Sequence, residues 1–125
     1  MSKTILIVDD SATLRASVNF VLSDAEYNVI QANDGLDGLK KLEEIKSRKE
    51  ELDMIITDIN MPNMDGISFI KEVKKGDFRF VPILVLTTES ENAKKMEGKN
   101  AGASGWLVKP FKPEQLLWVV KKFVR

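Results

Sequence analysis

Five short apolar runs punctuate this sequence, at Ile5–Val8, Tyr27–Ala32, Leu52–Thr57, Val81–Thr87 and Gly105–Val108, with longer segments of helical spacing between them. Continuous apolar character, rather than alternation, suits strands buried on both faces, as in a parallel sheet. Parallel neighbours need crossover connections, so five strands alternating with five helices predict an α/β fold with helices on both sides of one sheet. Ligands of such sheets bind beyond the carboxyl ends of the strands, where strand order reverses.

The helical segments can be placed by their apolar stripes. After Ser11, a suitable N-cap, Leu14, Val18, Val21 and Leu22 share one face. Leu36, Leu39, Leu42 and Ile45 mark the inward face of a second helix, whose mixed charges from Lys40 to Glu51 read as a solvated face. Ile67, Ile70 and Val73 mark a third, begun near Asp65 or Ser68 and broken at Gly76-Asp77. A fourth, Glu91 to Ala101, would turn Ala93, Met96, Asn100 and Ala101 inward and so be loosely held. Pro113 opens the last, with Leu116, Val120, Phe123 and Val124 facing the core. No repeat or linker divides residues 1–125, so a single domain is expected.

Composition narrows the chemistry. With 125 residues, 43% of them hydrophobic, one domain can bury about two-thirds of the unfolded chain's surface. Cys and His are both absent, so a metal must take oxygen ligands, which points to Mg2+ or a similar hard ion. The first apolar run meets Asp9-Asp10 long before the length of a signal core or membrane span, so a cytoplasmic protein without membrane attachment is expected. Lys plus Arg and Asp plus Glu balance at 19 each, which argues against nucleic-acid binding. The balance hides a split, because residues 1–66 carry 7 basic and 13 acidic side chains and residues 67–125 carry 12 and 6. Either folding interleaves the halves, or an acidic pocket lies near a basic docking surface.

The strand ends carry the chemistry. Asp9-Asp10 follow the first strand, Asp58 the third and Lys109-Pro110 the fifth, while Thr87 closes the fourth, all on one rim. Two unit charges about 4 Å apart repel by roughly 4 kcal/mol at an effective dielectric near 20, so three converging carboxylates need a cation. Mg2+ is commonly held by one or two carboxylates plus phosphate oxygens. Lys109 supplies a mobile positive charge and Thr87 a hydroxyl for the remaining phosphoryl oxygens. Taken singly, an Asp-Asp turn is an ordinary helix cap and Lys-Pro an ordinary loop. Together they form a phosphoryl-transfer site with a carboxylate nucleophile.

The motifs VDD at 8–10, TDINMPNMDG at 57–66, VLTT at 85–88 and GASGWLVKPF at 102–111 resemble the receiver-domain family of response regulators, and most of all its stand-alone chemotaxis members. The resemblance implies a flavodoxin-like, doubly wound (βα)5 fold with strand order 2-1-3-4-5. It implies phosphorylation at Asp58, Mg2+ bound by Asp10, Asp58 and the Asn60 carbonyl with Asp9 acting through water, and a cis Lys109–Pro110 peptide. Thr87 and Lys109 would sense the phosphoryl group. Trp106, where receivers usually carry Tyr or Phe, would be the ring that swings into the space Thr87 vacates; a static aromatic is the plainer alternative. Asn60 and Glu89 would tune dephosphorylation, with a short-lived signal expected, and Thr88 would narrow access.

Other protein classes share parts of this pattern. Phosphatases of the haloacid dehalogenase type carry a second Asp two residues past the nucleophile; here that position is Asn60, which cannot shuttle protons, so a switch with only slow autodephosphorylation is expected rather than an enzyme. A flavin module lacks its Ser/Thr-Gly-rich loop here. The implied donor is a chemotaxis-type histidine kinase and the implied target the flagellar motor switch protein, with a phosphatase as a further partner and a monomeric state. Because the chain runs from the last helix straight to Arg125, it reads as a diffusible regulator; a single-domain phosphorelay shuttle and a receiver of a hybrid kinase are the alternatives. Trp118 lies opposite the core stripe of its helix and reads either as a lone surface residue or as part of a docking patch with Trp106, Lys94, Lys95, Lys99, Lys121 and Lys122.

Overall fold

The computed structural model describes residues 2–124. Ten elements alternate along it: β1 (Thr4–Val8), α1 (Ala12–Asp24), β2 (Asn28–Ala32), α2 (Gly35–Ser47), β3 (Met54–Thr57), α3 (Gly66–Lys74), β4 (Ile83–Thr87), α4 (Asn92–Ala101), β5 (Gly105–Val108) and α5 (Pro113–Phe123). The strands form one parallel sheet in the order β2-β1-β3-β4-β5. Strand order reverses beside β1, which places the expected ligand crevice between β1 and β3. The third and fourth strands begin later than their apolar runs. Pro82 has no N–H to give the ladder, so β4 opens at Ile83, and the Pro82 carbonyl still accepts from Ile55 at 3.0 Å.

Alternate residues of each strand enter two cores. Leu6, Val8, Ile55, Ile83 and Val85 pack on one face with Phe69, Ile70 and Val73 of α3 and with Leu42 and Ile45 of α2. Ile5, Ile7, Met54, Ile56, Leu84 and Leu86 pack on the other with Val18 and Leu22 of α1 and with Leu116 and Val120 of α5. Helix starts follow the sequence: the Ser11 side chain accepts from the Leu14 N–H, the Asp65 side chain from the Ser68 N–H, and Pro113 occupies the first position of α5.

Two predicted stripes hold only in part: Leu39, Leu42 and Ile45 of α2 and Ala101 of α4 pack on the core, and the remaining positions do not. Leu36 is 51% exposed, and the buried stripe of α2 runs through Gly35, Gly38, Leu42 and Ile45, with Leu39 half-buried. A side chain at Gly38 would sit 2.8 Å from the Phe69 ring, so the glycines let α2 approach α3 more closely than a leucine face would allow. In α4, Ala93, Met96 and Asn100 face solvent and Gly98 alone is buried. The Trp106 ring lies over Gly98, where a Cβ would meet the indole at 2.8 Å. The helix has turned to offer that flat groove to the indole. It still buries no large apolar side chain, in keeping with a loosely held element.

Candidate functional site

Register assembles the rim. Val8 of β1 pairs with Thr57 of β3, and Thr87 of β4 with Val108 of β5. Asp9 and Asp58 therefore leave adjacent strands at the same height, and Lys109 leaves β5 one residue past Thr87. Backbone bonds fix these exits: the Asp9 N–H donates to the Ala32 carbonyl at 3.1 Å, the Asp58 N–H to Val8 at 3.1 Å and the Lys109 N–H to Thr87 at 2.8 Å. The Lys109–Pro110 peptide is cis.

Carboxylate oxygens of Asp9, Asp10 and Asp58 lie within 4.8 Å of one another, with Asp9 and Asp58 buried and Asp10 exposed. Lys109 Nζ bridges Asp9 Oδ2 at 3.1 Å and Asp58 Oδ2 at 3.0 Å. The ammonium thus pairs with two of the three carboxylates. Asp58 Oδ1 accepts from the Ile59 N–H at 2.6 Å and more distantly from the Asn60 N–H at 3.4 Å, which orients the carboxylate. Asp9 Oδ1 accepts from the Ser11 N–H at 2.8 Å, and its main-chain carbonyl accepts from Arg15 Nη1. The donor set is all oxygen, carries surplus negative charge and is open at Asp10, which fits a hard divalent ion such as Mg2+.

Burial pushes the Asp9 carboxyl above its ordinary value of 3.8, against the opposing pull of the Ser11 N–H and the Lys109 ammonium, and the Asp58 charge adds to the rise. The folded state then holds the Asp9 proton more tightly than the unfolded state does, so stability falls as pH rises from the ordinary value through the raised one. In chelator at neutral pH, Asp9→Asn should melt at a higher temperature than wild type. The gap should close as pH falls through the raised Asp9 pKa, and thermal melts across pH that hold a constant gap would contradict this origin.

Thr87 is fully buried, and its Oγ1 accepts from the Glu89 N–H at 3.3 Å. Trp106 is half-buried, and its Nε1–H donates to the Glu89 carbonyl at 3.0 Å, which supplies the partner an indole requires away from water. The Glu89 carboxylate accepts from the Glu91 N–H at 3.1 Å, while Asn60 and Thr88 are exposed.

The suggested docking residues are only partly brought together. Lys95, Lys99 and Trp106 line one cavity with Met96, Ala103, Ser104 and Gly105, and Lys94 stands 3.9 Å from Glu97 of its own helix. Trp118 is 67% exposed on α5, with Lys122 Nζ 5.5 Å from its ring centre; neither residue, nor Lys121, lines that cavity. Charges of the two halves do interleave, through Lys109 and through a Lys46–Asp77 pair at 2.7 Å. Arg15, Asp34 and Asn63 take part in the rim without having been singled out in the sequence. Arg15 had a faint signal, standing one turn into the helix after Asp9-Asp10.

No helix among the described residues is long and apolar enough to cross a membrane. Residues 5–121 match the model of the response regulator receiver domain. The chain is 36% identical over its whole length to the alkaline phosphatase synthesis transcriptional regulatory protein PhoP of Bacillus subtilis, half of whose length it spans. It is 38% identical over 109 residues to the chemotaxis protein CheY-3 of Vibrio cholerae, covering 86% of this chain and 80% of that one. The solved structure of Vibrio cholerae CheY4 superposes with a TM-score of 0.88 at 45% identity, covering 99% of this chain and 100% of that one. The rim geometry and the family match coincide over all five strands, and the chain belongs to the receiver domains of response regulators, with CheY-type chemotaxis regulators among its near relatives.

Proposed function

We propose that this chain is a phosphorylation-activated switch of a two-component system. An Asp58 oxygen attacks the phosphorus of a phosphohistidine on a histidine kinase, the P–N bond breaks, and the leaving imidazole nitrogen takes up a proton from water, so that an acyl phosphate remains on Asp58. The observation that carries this reading is the Lys109 ammonium held against Asp58 and Asp9 beside the exposed Asp10 carboxylate. Asp10, Asp58 and the Asn60 carbonyl would hold Mg2+, with Asp9 acting through water. The ion would neutralise charge on the phosphoryl oxygens during transfer. Lys109 follows the phosphoryl group, and the Thr87 hydroxyl turns from the Glu89 N–H toward it. Asn60 and Glu89 set how quickly water removes the group.

The added charge of about −1.5 to −2 draws Thr87 and Lys109 toward the rim. Because Glu89 joins Thr87 Oγ1 through its N–H and Trp106 through its carbonyl, that movement is passed to the indole and to α4. The output is binding of a partner protein at the α4–β5 side, and resemblance to chemotaxis regulators favours the flagellar motor switch. The match to half of a longer transcriptional regulator supports a second reading, in which the same switch acts within a larger protein.

Incubation with a small phosphoramidate donor and Mg2+ should add one phosphoryl group, mapped to Asp58 by mass spectrometry. Trp106 fluorescence, read in a Trp118→Phe background, should change on phosphorylation. Steady turnover of phosphate esters without phosphoprotein would overturn the switch reading, and unchanged fluorescence on a phosphorylated chain would remove Trp106 from the relay.

A further inference from the structure

The loop from Ile59 to Asp65, which carries the acceptor strand away from Asp58, is tied to a part of the molecule that the proposed chemistry does not use. Asn63 Nδ2 donates to Asp34 Oδ2 at 2.7 Å, across 29 residues of sequence. The other oxygen of Asp34 accepts from the Asp37 N–H at 2.8 Å and caps α2. One carboxylate therefore joins a helix start to the tip of the acceptor loop. Its two donors hold the Asp34 carboxyl below the ordinary carboxylate range, the Asp37 N–H more than the Asn63 amide.

A second contact repeats the first. A Cβ at Gly35 would stand 2.8 Å from Met64 Cγ and 2.9 Å from the Met64 carbonyl oxygen, so the β2–α2 turn and the loop meet almost backbone to backbone. Asn63 itself adopts φ of 67°, a left-handed conformation that non-glycine residues visit at a cost. The loop is closed at its base, where the Gly66 N–H donates to the Ile59 carbonyl at 2.8 Å. On the other side, Ala32, two residues before Asp34, accepts the Asp9 N–H. Continuous short contacts thus run from the Asp9 strand exit, through the β2–α2 turn, to the loop bearing Asn60.

We infer that Asp34 and Asn63 are positioning residues that preset the acceptor loop, so that the Asn60 carbonyl is in place before Mg2+ arrives. The inference rests on the site reading given under Proposed function. With the clamp absent, the loop is no longer tied to the β2–α2 turn and samples other arrangements. The ion must then order its own ligand. Loss of supporting contacts of this kind costs about 10-fold or more in metal affinity.

Two variants separate this role from folding. Asn63→Gly deletes the amide while easing the left-handed backbone, and leaves net charge unchanged. Asp34→Ser can still cap α2 but offers no carboxylate to Asn63. Both are measured in the full chain, by calorimetric titration with Mg2+ and by amide hydrogen exchange in chelator. The clamp predicts Mg2+ binding weakened about 10-fold in each variant, with faster exchange confined to residues 59–65 and the loop beside Asp34. Wild-type affinity in both variants, or unchanged exchange over residues 59–65, would overturn it. A wild-type chain that binds no Mg2+ would instead strike the site reading on which it rests.

Discussion

Gly66→Ala should destabilise the protein by about 3 kcal/mol, near the upper end of what overpacking costs, and lower its melting temperature by roughly 10 °C. The methyl group would fall 2.0 Å from the Asp58 carbonyl oxygen, with Ile59 Cα at 2.8 Å and the Asp58 carbonyl carbon at 2.9 Å. All three are backbone atoms, so no flexible side chain can yield. Relief requires α3 to back away from the end of β3, which stretches the Gly66–Ile59 hydrogen bond and tilts Asp58 from Lys109. Phosphoryl acceptance should therefore fall along with stability. Denaturant unfolding and phosphoryl incorporation measured on one preparation check this, and a melting temperature within two or three degrees of wild type would show that the clash is absorbed elsewhere.

Asp58→Asn should reduce phosphoryl incorporation to background while leaving the fold intact. The amide keeps the carboxylate's shape and one oxygen for the Ile59 N–H, but it lacks the anionic oxygen that the proposed transfer requires. Lys109 loses one acceptor and keeps Asp9, while removing a negative charge beside Asp9 relieves repulsion. These effects oppose each other, so folding stability should shift by no more than about 1 kcal/mol. The contrast with Gly66→Ala is diagnostic. One variant loses chemistry with its fold retained, and the other loses both. Incorporation that persists in Asp58→Asn, mapped to Asp9 or Asp10, would move the nucleophile to the first strand's exit.

Much of the rim was legible because parallel strands bring their carboxyl ends to one edge. Asp9, Asp10, Asp58, Thr87 and Lys109 each sit at or just past the end of an apolar run, and apolar runs are easy to place. The register that sets Asp9 level with Asp58 needed only β1 and β3 to be neighbours. Leu36 of α2 and Ala93, Met96 and Asn100 of α4 depart from the expected stripes for a common reason. Apolar spacing marks where large side chains fall, but where a helix packs closely its inner face is chosen by glycine, which carries no hydrophobic signal. Gly38 under Phe69 and Gly98 under Trp106 turned Leu36 and Met96 toward water.

The amino-acid order by itself determined the five-strand parallel sheet and the acidic rim with Thr87 and Lys109 beside it, since these follow from burial pattern and from the carboxyl-end rule. Only the tertiary structure decided that Lys109 bridges Asp9 and Asp58, that the Trp106 N–H reaches the Glu89 carbonyl, and that Asp34 holds Asn63. Each is a directional contact between loops or strand ends far apart in sequence. Such contacts depend on distances of a few ångströms, which periodicity along the chain does not encode.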